Sequence, residues 1–375
     1  MASRIFLAAI AFRLLSAFIG YVANSVLPAF QNQGFTVFGR PHPFWDAFAR
    51  YDAGWYYNIA SNGYMRGVGV PDKLAFFPLY PMSMRGLGTL FGSRQEDFYF
   101  AGIVISWLAF ATAMVMLYKL ARLDLDERDA RRALLYAAVF PFAYFFGVIY
   151  SESLFFLALI TAAYALRTKR WALAAIAGAA MTGTRVTGVM AMPGLAWLAW
   201  QAASHRRDTS KAVAVVATSF AGIGLYSAYT YRVTGDPFAW YHAITRWNYY
   251  PGQNPVAMPL AVMWALLSRP MEYLAERMAP YDVLNTLAAV LALALVPLIW
   301  RRFGVGYALI VLGGMLLPLS SGQLEGLGRY ASVQFPIALA LARGGSMTRH
   351  ALTLALFAVL YTICFALFVT VHPLF

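Results

Sequence analysis

What this chain has least of is charge. Only 12% of its 375 residues are Asp, Glu, Lys or Arg, about half of what a water-soluble domain carries, so a soluble globular fold is excluded. Acidic residues number 16 against 29 basic ones, a formal net charge of +13. That balance invites a nucleic-acid reading, but the basic residues are scattered over short connections between apolar runs. Lys and Arg in such loops follow from membrane topology, and no nucleic-acid partner is expected. The single cysteine, Cys364, sits in an apolar segment and can form no disulfide within the chain, so it is silent on redox compartment. There are five histidines, no two at the spacing of metal ligands; no metal site and no cofactor are expected. Internal repeats and low-complexity stretches are absent too, apart from an Ala/Leu bias that helices in lipid tolerate.

What is there is apolar: 61% of the residues are hydrophobic, the composition of repeated bilayer spans. Apolar runs fall at about 5–27, 98–118, 133–150, 152–167, 171–184, 188–203, 211–232, 281–300, 303–319, 331–343 and 349–371. The expectation is an all-α polytopic membrane protein of about eleven transmembrane helices, one membrane-embedded domain over residues 1–375. Arg4 followed by an apolar run to Leu27 has the outline of a signal peptide, but the run is long and lacks a convincing cleavage site, so it reads as a retained first span. The basic clusters at 131–132, 167–170, 206–207, 301–302 and 343–349 then alternate to one side, which the positive-inside rule makes cytoplasmic. The other face receives a long first loop (about 28–97), a second loop (about 233–280) and the short turns at 150–152, 184–188 and 320–330. Residues 256–278, interrupted by Pro259 and Pro270, fit an interfacial helix better than a span. The Gly313-Gly314 pair follows no strand and reads as close helix packing, not a dinucleotide loop.

The first loop holds more than a connection needs. Asp46 and Asp52 stand six residues apart among Trp45, Tyr51, Trp55 and Tyr56, and the run Ala75 to Pro81 is aromatic and punctuated by two prolines, which argues against a long helix there. Two readings of Asp52 stand side by side. It suits the N-cap of a short interfacial helix stopping near Asn62-Gly63, and it suits a base held against an acceptor hydroxyl. Asp46 carries the same ambiguity. A carboxylate walled by aromatic rings at the membrane boundary is costly unless it is used.

In Arg50-Tyr51-Asp52-Ala53-Gly54-Trp55-Tyr56, Ile59-Ala60, Gly63-Tyr64 and Ala75-Phe76-Phe77-Pro78-Leu79-Tyr80-Pro81 the sequence resembles the PIG-V-like mannosyltransferases of the glycosyltransferase C (GT-C) superfamily. The resemblance continues through Tyr150-Ser151-Glu152-Ser153-Leu154-Phe155, Thr184-Arg185-Val186-Thr187-Gly188, Thr234-Gly235-Asp236-Pro237, Arg246-Trp247 and Gly328-Arg329-Tyr330, and so covers nearly the whole chain. It departs at Lys73, where an acidic residue is expected. The resemblance implies a GT-C fold and an enzyme that moves a sugar, mannose first, from a polyprenyl-phosphate carrier to a hydroxyl on the external face of a prokaryotic plasma membrane, with inversion. The acceptor stays open among a glycolipid, a glycan and a protein. It also makes an acidic residue of the first external loop the base, which carries over to Asp52 with Asp46 as the second candidate.

A lipid phosphate leaves readily but needs fixed cations to meet its charge, and arginine offers a planar fork for its oxygens. Arg185, Arg329 and Arg246 are the external candidates, each with snorkelling to the interface as the alternative. Glu152 fits either a hold on an arginine or sugar hydroxyl or a structural ion pair. Trp247 suits sugar stacking or the interfacial belt, and Trp45, Tyr51, Trp55 and Tyr56 complete the substrate-binding candidates. A lipid or polyol transporter and an inactive subunit of a glycosylation complex are the rival readings. Transporters favour mid-membrane polar groups in paired repeats, and here the polar groups gather on one face.

Overall fold

A chain this apolar has to satisfy its backbone polar groups within each segment, and in lipid the helix does so. A computed structural model describes residues 1–30, 37, 40–66, 69–247, 249–250 and 252–374, and every regular element among them is helical. Parts of the expected first external loop (31–36, 38–39 and 67–68) and positions 248 and 251 of the second lie outside the described residues.

Among the described residues, five helices are long and apolar enough to cross a membrane: Ala2–Val26, Gln95–Ala121, Arg206–Thr234, Ala279–Phe303 and Met347–Val369. Shorter apolar helices follow at Trp171–Thr184, Ala257–Ser268 and Val305–Leu319. Two of the eleven expected spans are not single helices. The run 133–150 ends its helix at Val139, and after Pro141 the chain makes a single 3-10 turn, Ala143–Phe146. The run 331–343 is split between Leu327–Ser332 and Phe335–Ala342, the second starting on Pro336. In both places a proline removes the amide that a continuous helix requires, and run length alone hid the break.

Close packing between the shorter helices rests on glycine. A Cβ at Gly313 would lie 1.8 Å from the Met190 carbonyl oxygen, and one at Gly222 would lie 2.2 Å from that of Ala179. The expected packing role of Gly313 is therefore observed, since backbones this close leave no room for a side chain. Arg13, inside the first helix, is entirely buried. It donates to the Ala143 carbonyl at 3.1 Å and stacks 4.1 Å over the Phe110 ring.

The first loop is folded on its own account, with helices at Pro43–Asp46, Asp52–Asn62, Val70–Lys73 and Leu79–Phe91. The Ala75 to Pro81 run is not itself a long helix, as expected: residues 75–78 are irregular, and Pro81 falls in the first turn of the helix that follows, where a missing amide breaks no bond. Arg50 ties the loop to both ends of the chain, donating from Nε to the Val369 carbonyl (2.8 Å) and from Nη2 to Asn24 Oδ1 (2.9 Å). Lys73, also fully buried, caps loop carbonyls through Arg66 O at 2.5 Å. On its far side the loop packs against the second external segment, with Phe77 edge-on to Trp240 (5.6 Å between centroids) and Tyr226 donating to the Leu74 carbonyl at 2.9 Å. Residues 256–278 form the helices Ala257–Ser268 and Pro270–Leu274, broken before Pro270 as the sequence suggests.

Candidate active site

Folding the loop this way turns one end of the bundle into a cavity of about 420 Å³. The helix Asp52–Asn62 supplies one wall, and the turns at 150–152, 184–188 and 320–330 bring the others. Asp52 is the first helical residue, not the cap: Tyr51 holds the N-cap position, without a side-chain cap bond, at a positive φ of 49°. A non-glycine residue in that conformation is strained. Its surroundings hold it, through a hydrogen bond from the Tyr51 hydroxyl to the His372 carbonyl and ring packing on Phe368 at 5.7 Å.

Asp52 thereby faces the cavity and meets Arg329, whose Nη1 donates to Oδ2 at 2.7 Å. Arg329 in turn points its Nε at Glu152 Oε1, 3.3 Å away. Arg185 pairs with the same Glu152 oxygen and donates to Ser151 Oγ at 3.2 Å. Two arginines and two carboxylates alternate along this chain, so their charges balance before any ligand enters. Glu152 is 1% exposed and its Oε2 has no hydrogen-bond partner among the described residues, an open acceptor in a low-dielectric setting where such groups are costly. Tyr150, with its hydroxyl 3.2 Å from the Asp52 amide, and Tyr56, donating to Ser151 Oγ at 3.0 Å, brace the network from behind.

The cavity's other wall is aromatic. Trp55 stacks near-parallel to Phe76 at 6.0 Å, and Trp247 meets Trp55 edge-on at 5.1 Å. Arg185 and Arg329 lie over the Tyr330 ring at 5.1 and 5.5 Å. Burial raises the Tyr249 hydroxyl above its ordinary value, so this phenol stays a neutral donor well into the alkaline range.

Of the site residues expected from sequence, Asp52, Tyr51, Trp55, Tyr56, Arg185, Trp247 and Arg329 line this one cavity, and Glu152 lies directly beneath it. Three do not. Asp46 is 4% exposed and gives its two oxygens to the backbone amides of Val37 and His42, each at 2.8 Å, so it works as a structural cap. Trp45 is half-buried at the edge of the core, edge-on to Phe44 and Phe100. Arg246 is mostly exposed, with Asp72 3.8 Å away. Tyr241, Ile244, Leu317, Pro318 and Ser321 also line the cavity. Nothing marked Tyr241 and Ile244 beyond the helix they share. The polar loop after Pro318 was a signal for Ser321.

Residues 77–246, a little under half of the chain, match the family model for dolichyl-phosphate-mannose-protein mannosyltransferases. That stretch holds Ser151, Glu152 and Arg185 but neither Asp52 nor Arg329. No curated protein sequence matches. Among solved structures, the oligosaccharyltransferase of Archaeoglobus fulgidus with a tethered acceptor peptide aligns at a TM-score of 0.50 and 14% identity, over 97% of this chain and 55% of that one. The apo form of the same enzyme gives 0.49 and 16%, covering 98% and 56%. Its complex with an inhibitory peptide and a dolichol-phosphate, where it is named AglB, gives 0.46 and 12%, covering 97% and 56%. The chain thus spans about half the length of the solved proteins it matches. The helical fold resembles that of the archaeal oligosaccharyltransferase, the helices are those of a multi-pass integral membrane protein, and residues 77–246 are similar to the dolichyl-phosphate-mannose-protein mannosyltransferase family.

Proposed function

We propose that this protein is an inverting mannosyltransferase that takes mannose from a polyprenyl-phosphate donor and gives it to a hydroxyl acceptor, in the manner of the narrower PIG-V-like group. The observation that carries the reading is the convergence of Asp52, Arg329, Arg185 and Glu152 on one aromatic-walled cavity. Asp52 takes the proton of the acceptor hydroxyl through the carboxylate oxygen that Arg329 leaves open. The acceptor oxygen then bonds to the anomeric carbon from the face opposite the phosphate. The bond from that carbon to the phosphate oxygen breaks, and its electron pair leaves with the polyprenyl phosphate. Arg185 and Arg329 meet the charge of the departing phosphate, which makes further use of a cation pair that Glu152 has already placed and desolvated. Trp55 and Trp247 stack on the sugar, and the acceptor class stays open among glycolipid, glycan and protein.

The test is incubation of the purified protein with radiolabelled polyprenyl-phosphate mannose and a membrane lipid extract. Label should pass to an acceptor, and a nucleotide-linked mannose should not replace the donor. Equal transfer from the nucleotide sugar, or none from the lipid-linked one, rejects the reading. In this reading the site lies outside the cytoplasm, so cysteines introduced at Asn62 and Arg206 should differ in intact cells. An impermeant maleimide should label the first alone, and labelling only at Arg206 inverts the topology.

A further inference from the structure

A second cavity lies elsewhere. It has a volume of about 630 Å³ and opens between the helix Glu127–Val139 and the start of the membrane helix Met347–Val369. That membrane helix has 23 residues, about 35 Å at the α-helical rise. Its far end carries Val369, whose carbonyl is held by Arg50 two positions before Asp52. The cleft and the candidate active site are therefore separated by about one bilayer thickness.

The cleft is a fixed feature. Asp129 accepts from Arg132 Nη1 at 2.8 Å and from the Gly344 amide at 2.9 Å, which ties the first helix to the turn before the second. His350 bonds through both ring nitrogens, to Tyr136 (2.8 Å) and to the Gly344 carbonyl (2.6 Å). Its mouth is basic and its floor is apolar. Arg128 and Arg131 have side chains 68% and 59% exposed, while the half-exposed Leu135, the exposed Met347 and Leu354 give the cleft its apolar lining. Arg131 pairs with Glu127, Arg128 and Arg132 share Asp129 at 3.6 and 2.8 Å, Asp126 caps the helix through the Asp129 amide, and Arg349 lies against His350. One positive charge is left over. A phosphodiester carries one negative charge, and an acyl chain fits the apolar floor, which is how basic pockets beside membrane helices select anionic lipids.

We infer that this cleft binds the headgroup of an anionic phospholipid from the leaflet opposite the Asp52 cavity, with its phosphate at Arg128 and Arg131 and an acyl chain against Leu135 and Leu354. The full-length protein in neutral detergent is mixed with equal amounts of phosphatidylglycerol and phosphatidylcholine, and the lipids retained are weighed by native mass spectrometry. Phosphatidylglycerol should be retained preferentially by the wild type. The double variant Arg128→Ala, Arg131→Ala should retain it about tenfold less, and Leu135→Trp, which fills the floor and leaves the charge alone, should also lose it. Arg206→Ala with Arg207→Ala removes the same charge elsewhere and should retain the lipid as the wild type does. Millimolar inorganic phosphate should not displace the lipid. Equal retention of the two lipids, an unchanged Arg128/Arg131 variant, equal loss in the Arg206/Arg207 variant, or displacement by inorganic phosphate would overturn the assignment. Each protein's melting temperature in neutral detergent confirms that it is folded, and Leu135→Trp keeps the test decisive if the double variant is not.

Discussion

Asp46 and Asp52 are the same residue type, six positions apart in one loop among similar aromatic neighbours, yet they do different work. Asp46 is buried and both its oxygens are taken by backbone amides. Such a carboxylate is held as a fixed acceptor, buried and away from the cavity lining, out of reach of a substrate hydroxyl there. Asp52 gives one oxygen to an arginine and turns the other toward a cavity. The difference comes from the backbone: the strained Tyr51 ends one turn and starts the next helix, so Asp52 enters at the cavity wall while Asp46 closes a turn within the protein. What makes a carboxylate available is which of its oxygens the fold leaves open.

The largest expected effect sets these two residues directly against each other. Asp52→Asn keeps the size and an acceptor for Arg329 but cannot take a proton, so turnover should fall by about a hundredfold or more with the melting temperature close to that of the wild type. Single-turnover transfer and thermal melting on the same detergent preparation measure both. Near-normal turnover would remove Asp52 from the chemistry, and loss of activity through unfolding alone would make it structural after all.

The arginines give the next largest effect, because two of them share the buried Glu152 and the third does not. Arg185→Ala or Arg329→Ala should lower kcat/KM for the donor by about thirty- to several-hundredfold, the loss of a charged hydrogen bond worth roughly 2 to 4 kcal/mol in a shielded site. Arg246→Ala, which loosens only a 3.8 Å surface pair with Asp72, should cost less than about 1 kcal/mol. Steady-state donor titrations separate the three. Equal and small losses would reduce Arg185 and Arg329 to interfacial anchors.

Asp46→Asn should behave in the opposite way to Asp52→Asn. The amide keeps one acceptor but turns its NH2 toward a backbone N–H, leaving a buried donor unpaired at a cost of about 1 to 3 kcal/mol. Stability should drop while turnover per folded molecule stays within a few-fold of wild type. Loss of turnover without loss of stability would return Asp46 to the list of bases.

These contrasts mark what could be read before the fold was known. Asp52, Glu152, Arg185 and Arg329 stood out because a charge inside apolar sequence must be paired or used, and all four converge on one cavity. Asp46 and Trp45 stood out for the same reason and lie elsewhere, since neither composition nor spacing tells which side of a short helix a residue faces. Trp55 and Trp45 are ten positions apart in one loop, and only Trp55 lines the cavity. The helix breaks at Pro141 and Pro336 were present as prolines but were outweighed by the length of the apolar runs around them. Tyr241 and Ile244 reach the cavity because the second external segment packs onto the first, a long-range contact with no local signature.

A third carboxylate at this end of the molecule sharpens the contrast at the smallest scale. Glu325, in the loop after Pro318, is held above the usual carboxylate range by burial and by the neighbouring Asp282 carboxylate. A raised value means the folded state binds this proton more tightly than the unfolded chain does. Folding therefore loses stability as pH rises from the ordinary glutamate range through the raised value, and the loss is complete above it. Glu325→Gln removes that penalty. The variant should melt higher than wild type at neutral pH, by on the order of 1 to 2 °C, and the gap should close as the pH falls below the ordinary glutamate value of about 4.3, where the carboxyl is protonated in both the folded and the unfolded chain. Thermal melts across that range decide it. A gap that stays constant with pH would mean the substitution acts through packing, and a lower melting temperature at neutral pH would mean that Glu325 is paired as Asp52 is.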